Sequence, residues 1–359
     1  MRILVIMKRF GANKDMVEDN FGRQIRLFEN LKKHKIDFLC LDYKKHENKN
    51  IKKNGISYYV RPYSISRHFR FIKELKKLIR KNKYKLIVGT TDPLIGILGY
   101  FYSKKFEIKY IYDIQDEYSC YDSYKIPFVK YLDKITIKNS DIVIAVSRSL
   151  KQHIKKSRKK PTYTIQNGFD SKSFKKISKD KARKTLKLPK GKIIIYIGEI
   201  SKFKGADTLI EAFKEVKKSI PNCHLLLSGA VSREIKIKQD SIIYKRYPKR
   251  VEIITALNAS DLAVLPNKKN KFSEYCFPYK LMEYMAIGLP IVATKVGDAS
   301  KILSGFNESI CIPSDKKDME NKIIKKLKSG KKEDYSSILK TYTWSYLAKK
   351  IDNIIKRKI

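Results

Sequence analysis

Short unbroken apolar runs alternate along this chain with stretches whose apolar residues recur every three or four positions. Residues 3–7 form such a run, closed by Lys8, Arg9 and Gly11, as expected of a strand buried on both faces and followed by a polar loop that is a ligand candidate. Ile25, Phe28 and Leu31 then keep helical spacing, and residues 36–41 read as a second strand, which makes a β-α-β start. Runs at residues 86–88, 108–112 and 142–146 continue the alternation, the pattern of a doubly wound sheet. The pattern restarts at residues 193–197, ahead of a helix with Leu209, Phe213, Val216 and Ile220 on one face, and residues 225–227 and 262–265 supply further strands. The last segment, from Tyr342 past Ile355, reads as an amphipathic helix with Trp344 as its buried anchor. No Gly-x-Gly-x-x-Gly follows the first strand, which argues against a dinucleotide-binding dehydrogenase.

A length of 359 residues suits two domains of ordinary size, and 42% hydrophobic with 32% charged residues is the balance of a folded protein. A net charge of +44 asks for an anionic partner, although a general bias toward Lys, Ile and Asn accounts for part of it and both halves are basic. Nucleic acid is not expected, since neither zinc-finger spacing nor an RRM-like aromatic motif is present. The five cysteines show no Cys-x-x-Cys and no histidine at metal spacing, so they read as reduced thiols of a cytosolic protein. No Asp-x-Asp triplet occurs, so no cofactor and no metal are expected. The opening apolar run is too short for a signal peptide and no run reaches the length of a membrane span. The expected location is cytoplasmic, peripheral on the inner face of the cell membrane. Residues 49–85 support that location: thirteen basic residues stand there against Glu74 alone, and their helical part reads as a basic amphipathic helix able to dock on an anionic membrane. The competing reading is an ordinary helix whose apolar stripe packs on the sheet while its basic face is solvated.

Two stretches carry candidate chemistry of their own. In residues 276–294 a Pro-containing loop leads into a short helix, a Gly-Leu-Pro break and a buried strand. Unpaired N–H groups at such a helix start suit a phosphate, and Glu283, one turn in, suits two hydroxyls of a neighbouring sugar; an amphipathic helix with a chance acid is the bland equivalent. After residues 193–197, Lys204 and Gly205 precede a helix, a phosphate-binding geometry in which glycine admits close backbone approach and lysine supplies charge.

The run Pro278-x-Lys280-x-x-Glu283-Tyr284-x-Ala286-x-Gly288-x-Pro290-x-Val292-Ala293-Thr294 resembles the donor site of the GT-B fold glycosyltransferases of the GT4 type, the glycosyl transferases group 1. Asp141 to Ser147, Tyr163 to Asp170 and Asp261 to Pro266 resemble further phrases of that family in the same order. The resemblance implies an α/β protein of GT-B fold, with two Rossmann-like doubly wound domains facing a cleft. Residues 1–165 would be the acceptor-side domain, residues 166–342 the nucleotide-sugar-binding domain, and the helix of residues 343–359 would pack back on the first. It further implies a retaining transfer of a sugar from a UDP- or GDP-linked donor to the hydroxyl of a saccharide or lipid-linked acceptor, in surface polysaccharide or glycolipid synthesis. A nucleotide-sugar epimerase and an inactive scaffold share the fold and remain open.

By the same resemblance Glu283 binds ribose, Lys204 and Gly205 hold the diphosphate, and Tyr279, Lys280 and Leu281 complete the donor site. In the loop of residues 113–118, Asp116 would face the transferred sugar or the acceptor hydroxyl, the competing reading being a helix cap. The chain departs from the family at Gln115 and Asp116, where many relatives have a histidine, at Asp298, which stands for the second glycine of a Gly-Gly loop, and at three further places. Gly22 stands one glycine short of a Gly-Gly pair, Tyr275 occupies the position of the first of two glutamates with Glu274 beside it, and Glu199 replaces an arginine. For Glu199 three arrangements are open: Lys202 compensates, the carboxylate points away, or donor binding is impaired.

Overall fold

The computed structural model describes residues 1–11, 14–64, 66–170, 173–237, 240–306 and 308–359. Contacts divide the chain into two compact units, residues 1–168 with 344–359, and residues 169–343.

The first unit begins with β1 (Arg2–Lys8), followed by a small antiparallel ribbon of β2 (Phe10–Gly11) and β3 (Lys14–Asp15). Then come β4 (Lys35–Asp42), β5 (Lys49–Lys53), β6 (Ile56–Pro62), β7 (Leu86–Thr90), β8 (Lys109–Ile114), β9 (Ile142–Ala145) and β10 (Thr162–Thr164). Its sheet runs β10-β9-β8-β7-β1-β4-β6-β5, and only β5 pairs antiparallel. Ile3 to Met7 are fully buried, as an unbroken apolar run covered on both faces must be. Tyr110 and Tyr112 pack against the helix Pro93–Lys105 because Gly96 and Gly99 leave room; a Cβ at Gly96 would fall 2.2 Å from the Tyr112 ring. The helix Trp344–Lys358 buries Trp344, Leu347, Ile351 and Ile355, and Asp352 on it meets His34 Nε2 at 2.7 Å.

One expectation for this unit is corrected. The helix after β3 is only Arg23–Phe28, so Leu31 lies beyond it, buried in the following turn. After β1 the fully buried Arg9 guanidinium meets Asp15, Glu18, Asp42 and Glu47. Within the basic stretch of residues 49–85, β5 and β6 form a hairpin through Asn54 and Gly55, at φ 52° and 77°, ahead of the helical part. Both are left-handed, as a two-residue hairpin turn matching the strand twist requires. The helix proper is His68–Asn82, with Phe71, Ile72, Leu75, Leu78 and Ile79 buried and Arg70, Lys73, Lys77 and Lys81 exposed.

The second unit is built on β11 (Lys192–Ile197), β12 (Cys223–Ser228), β13 (Ile242–Tyr244), β14 (Leu262–Leu265), β15 (Ile291–Thr294) and β16 (Ile310–Cys311). All are parallel, in the order β13-β12-β11-β14-β15-β16. The helix Ala206–Ser219 buries Leu209, Phe213 and Val216 against this sheet. The order reverses between β11 and β14, and in an open parallel sheet ligands gather beyond the carboxyl ends of the strands at such a point.

Candidate active site

The loops beyond β11, β12 and β14 approach one another more closely than side chains would allow. Gly198 and Gly229 adopt φ of 145° and 147°, and a Cβ at Gly229 would lie 1.8 Å from the Gly198 carbonyl oxygen. Gly205, at φ 78° before the helix Ala206–Ser219, touches the loop after β14: a Cβ there would lie 1.9 Å from the Pro266 carbonyl oxygen. The glycine at Lys204-Gly205 therefore serves loop-to-loop contact as well as any ligand. Lys204 stands over the Phe272 ring, 3.8 Å from its centroid, and so gains cation–π attraction while it faces the other cations of the site.

Lys280 lies against Gly198, with Cε and Nζ 2.6 Å from where a Cβ would be. Burial pushes its ammonium below the ordinary lysine range, Glu283 opposes that, and Lys204 adds to it. The fourth influence is Glu199, which is exposed yet raises Lys280. The acid that replaces the family's arginine thus faces solvent within electrostatic reach of a lysine.

The helix Tyr279–Ile287 starts at Pro278 with no side-chain cap and ends at Gly288 in the left-handed conformation. Tyr284, fully buried, ties the helix to the sheet by accepting the Ile197 N–H at 3.2 Å. Leu281 is fully buried and its N–H donates to the Pro278 carbonyl, so its contribution is packing; Tyr279 is half-buried at the helix start. Glu283 is 7% exposed and accepts one N–H from Arg250 at 3.0 Å. Burial raises its carboxyl above the ordinary range, and the charges of Arg250 and Lys280 hold that rise back. Arg250, at the start of the helix Arg250–Ala259, lies over the Phe174 ring at 4.9 Å. Nothing in the sequence links Arg250 to Glu283; the pairing depends on where a helix starts after β13.

Glu274 accepts the Gly297 N–H at 3.2 Å and so caps the helix Gly297–Ile302. Tyr275 beside it is half-buried. The acid next to the family's first glutamate position is thus already engaged within the fold.

In the first unit a polar network sits at the carboxyl ends of β7 and β8. Asp113, fully buried, accepts Arg23 Nη2 at 2.9 Å and Thr90 Oγ1 at 2.9 Å, and Gln115 Nε2 donates to it at 3.2 Å and to Thr90 at 2.6 Å. Arg23 Nη1 also donates to the Gln166 carbonyl at 2.6 Å. Asp116 is half-buried outside this network and accepts the Tyr121 hydroxyl at 2.6 Å. Arg23 and Thr90 were not singled out by sequence; the one signal was the glycine ahead of Arg23. Among the described residues no three His, Cys, Asp or Glu side chains gather as a metal set.

A model of the family described as Glycosyl transferases group 1 matches residues 178–356, and one described as Glycosyltransferase Family 4 matches residues 26–173. An uncharacterised glycosyltransferase of Methanocaldococcus jannaschii is 23% identical over 345 residues, 89% of this chain and 88% of that protein. The capsular polysaccharide biosynthesis glycosyltransferase CapM of Staphylococcus aureus is 27% identical over 215 residues, a match that spans 55% of either chain. Among solved structures, Anabaena HepE in complex with UDP and glucose superposes with a TM-score of 0.71 at 16% identity, over 98% of this chain and 99% of that one.

Proposed function

Since the chain belongs to the GT4-type glycosyltransferases and has their GT-B fold of two Rossmann-like units, we propose that it moves a sugar, with retention, from a UDP- or GDP-linked donor to an acceptor hydroxyl in surface polysaccharide or glycolipid synthesis. The observation that carries this reading is the pairing of a buried carboxylate, Glu283, whose one hydrogen-bond donor among the described residues is Arg250, with two lysines, Lys204 and Lys280, beyond a glycine-lined strand end. Glu283 accepts the ribose hydroxyls. Lys204, Lys280 and the uncapped start of the helix Tyr279–Ile287 hold the diphosphate, whose charge grows as its bond to the anomeric carbon breaks. No metal is required in this scheme, so transfer survives EDTA. In the first unit Asp116 orients the transferred sugar or the acceptor hydroxyl. HepE was solved with UDP and glucose, and CapM is named for capsular polysaccharide; both support this direction for donor and acceptor.

The test is nucleotide release from UDP- and GDP-sugars, with and without saccharide and lipid-linked acceptor preparations. Release that requires acceptor is the expected result. Release without acceptor, with a changed sugar, would make the protein an epimerase; failure to bind either nucleotide would make it a scaffold.

The acceptor side of this reading includes an anionic membrane surface. With its apolar stripe packed, the helix His68–Asn82 leaves Arg70, Lys73, Lys77 and Lys81 exposed, and Phe69 ahead of them is 85% exposed. Each basic side chain near an anionic surface contributes about 1 kcal/mol, enough in sum for reversible docking. Among the described residues no helix is long and apolar enough to cross a membrane. Sedimentation with anionic liposomes should lose the variant with Glu at these four positions; equal sedimentation of variant and wild type would remove the helix from the account.

A further inference from the structure

One helix of the first unit is turned inside out. Along Val129–Asn139 the buried side chains are Val129, Asp133 and Thr136, and Asp133 accepts the Tyr112 hydroxyl at 2.6 Å and the Tyr124 hydroxyl. The apolar residues face the other way. Phe128 at the cap, Tyr131, Leu132 and Ile135 keep the spacing of a single helical stripe, and Phe128 and Tyr131 are 77% and 64% exposed. Phe128 adopts φ 64°, a left-handed backbone uncommon outside glycine, and still turns its ring to solvent. The exposed Lys130, Lys134 and Lys138 form the next stripe. The helix Pro93–Lys105 packs beside this one and continues its surface. Gly96 and Gly99 occupy its sheet side, and its outer side carries Leu94, Ile97, Leu98 and Phe101, the last 59% exposed, ahead of exposed Lys104 and Lys105. The two helices hold five lysines and one acid, the inward Asp133. Two exposed acids stand at the ends of the surface, Glu107 and Asp122, the second paired with Lys125.

The basic helix His68–Asn82 lies on the same face. The connections from β6 to β7, β7 to β8 and β8 to β9 step in one direction across the sheet, so right-handed crossovers place their helices on one side of it. Arg80 of the first lies over the Phe106 ring just past the end of the second, 6.0 Å from its centroid. An apolar band therefore has basic side chains on both flanks. Single exposed apolar residues are ordinary, whereas a cluster of large ones marks a contact surface. Charge selects the partner. A second copy of this chain, at a net +44, would set its lysines against these. A bilayer with anionic lipids offers acyl chains to the rings and phosphates to the lysines. We propose, resting on the membrane reading above for the partner, that the helices Pro93–Lys105 and Val129–Asn139 seat the first unit in the interface of an anionic bilayer, with Phe101, Phe128 and Tyr131 entering its acyl boundary. The thirteen residues of Pro93–Lys105 are too few to span a bilayer, so the contact is with one leaflet.

The experiment sediments the full chain with vesicles of phosphatidylglycerol and phosphatidylcholine, at low salt and at about 1 M salt, which screens charge beyond roughly 3 Å. F101Q/F128N/Y131Q removes exposed rings alone, with asparagine at 128 because it tolerates the left-handed backbone. It is compared with wild type and with the charge reversals at Arg70, Lys73, Lys77 and Lys81, after thermal melting shows each folded. In a second arm F128W is titrated with vesicles of acyl-brominated lipid, and wild type, whose one tryptophan is the buried Trp344, is the control. Wild type should keep part of its binding at high salt. The ring variant should lose that part and bind at least fivefold more weakly at low salt, the charge reversals should lose the salt-sensitive part, and F128W fluorescence should be quenched beyond the control. Binding by the ring variant equal to wild type at both salts, with F128W unquenched, would overturn the insertion and leave the basic helix as the dock. No binding by wild type at low salt would overturn the membrane reading along with it. A wild-type dimer that the ring variant dissolves, with vesicle binding unchanged, would overturn the proposal by making the surface a contact between copies.

Discussion

Glu283 in the second unit and Asp113 in the first are both buried carboxylates paired with an arginine, yet one is provided for and the other is not. Asp113 has no exposed side-chain surface and accepts from Arg23, Thr90 and Gln115. Among the described residues Glu283 accepts a single Arg250 N–H, from a side chain that is 40% exposed, and burial raises its carboxyl above the ordinary range. A saturated buried carboxylate fixes its surroundings. An undersupplied one retains acceptor capacity, which is what a ribose with two hydroxyls requires. The network in the first unit therefore reads as the rigid floor under a loop, and the carboxylate in the second keeps the capacity that the proposed binding role needs.

The largest expected effect breaks the floor. Asp113→Ala strands the buried Arg23 guanidinium and should cost about 3 to 5 kcal/mol of stability, seen as a fall in the melting temperature of the first unit. Nucleotide affinity measured well below that melting temperature should be unchanged. A coupled loss of affinity at constant stability would mean that Asp113 acts on the ligand and is not structural.

Asp133 sharpens the comparison from a third side, because it is buried and, among the described residues, accepts only from the hydroxyls of Tyr112 and Tyr124, with no cation beside it. Burial raises its carboxyl to about 6, against the hydroxyl hydrogen bonds that favour ionisation. The folded state then binds a proton that the unfolded chain releases near pH 4. Asp133 thus favours the fold fully only below about pH 4, and this contribution falls as pH rises through about 6, by roughly 3 kcal/mol. Asp133→Asn should remove that slope, so the variant gains on wild type between pH 4 and 7 in denaturant titrations. Parallel pH profiles for the two proteins would count against this account of the buried acid.

The smallest effect concerns Arg250. Its charge lowers the Glu283 carboxyl, so Arg250→Ala should move the acid limb of nucleotide affinity to higher pH, while stability changes by about 1 kcal/mol or less, as befits a half-exposed pair. An acid limb that stays in place or moves down would separate Arg250 from the site.

These contrasts also mark what a sequence makes legible. The helix Tyr279–Ile287 could be read because its parts are adjacent: Pro278, Lys280, Glu283 and Gly288 lie within three turns, and helix geometry alone sets their relation. The doubly wound sheets were legible from their apolar runs for a similarly local reason. The Arg23, Thr90 and Asp113 network was not, since its members come from a helix and two strand ends, and only the parallel register of β7 and β8 sets Thr90 beside Asp113. Arg250 escaped for the same reason. The β5–β6 hairpin is a different matter. Asn54-Gly55 is a strong turn signal ahead of alternating residues, but the run of lysines around it was read for its charge before its period.

The most direct measurement is calorimetric titration of UDP and GDP into wild type and Glu283→Gln. The account predicts saturable binding of at least one nucleotide by wild type. It predicts a loss of about 1.5 to 3 kcal/mol in the variant, because an amide replaces one ribose acceptor by a donor, with the melting temperature nearly unchanged. Equal affinity in both proteins, or no binding of either nucleotide by wild type, would contradict it.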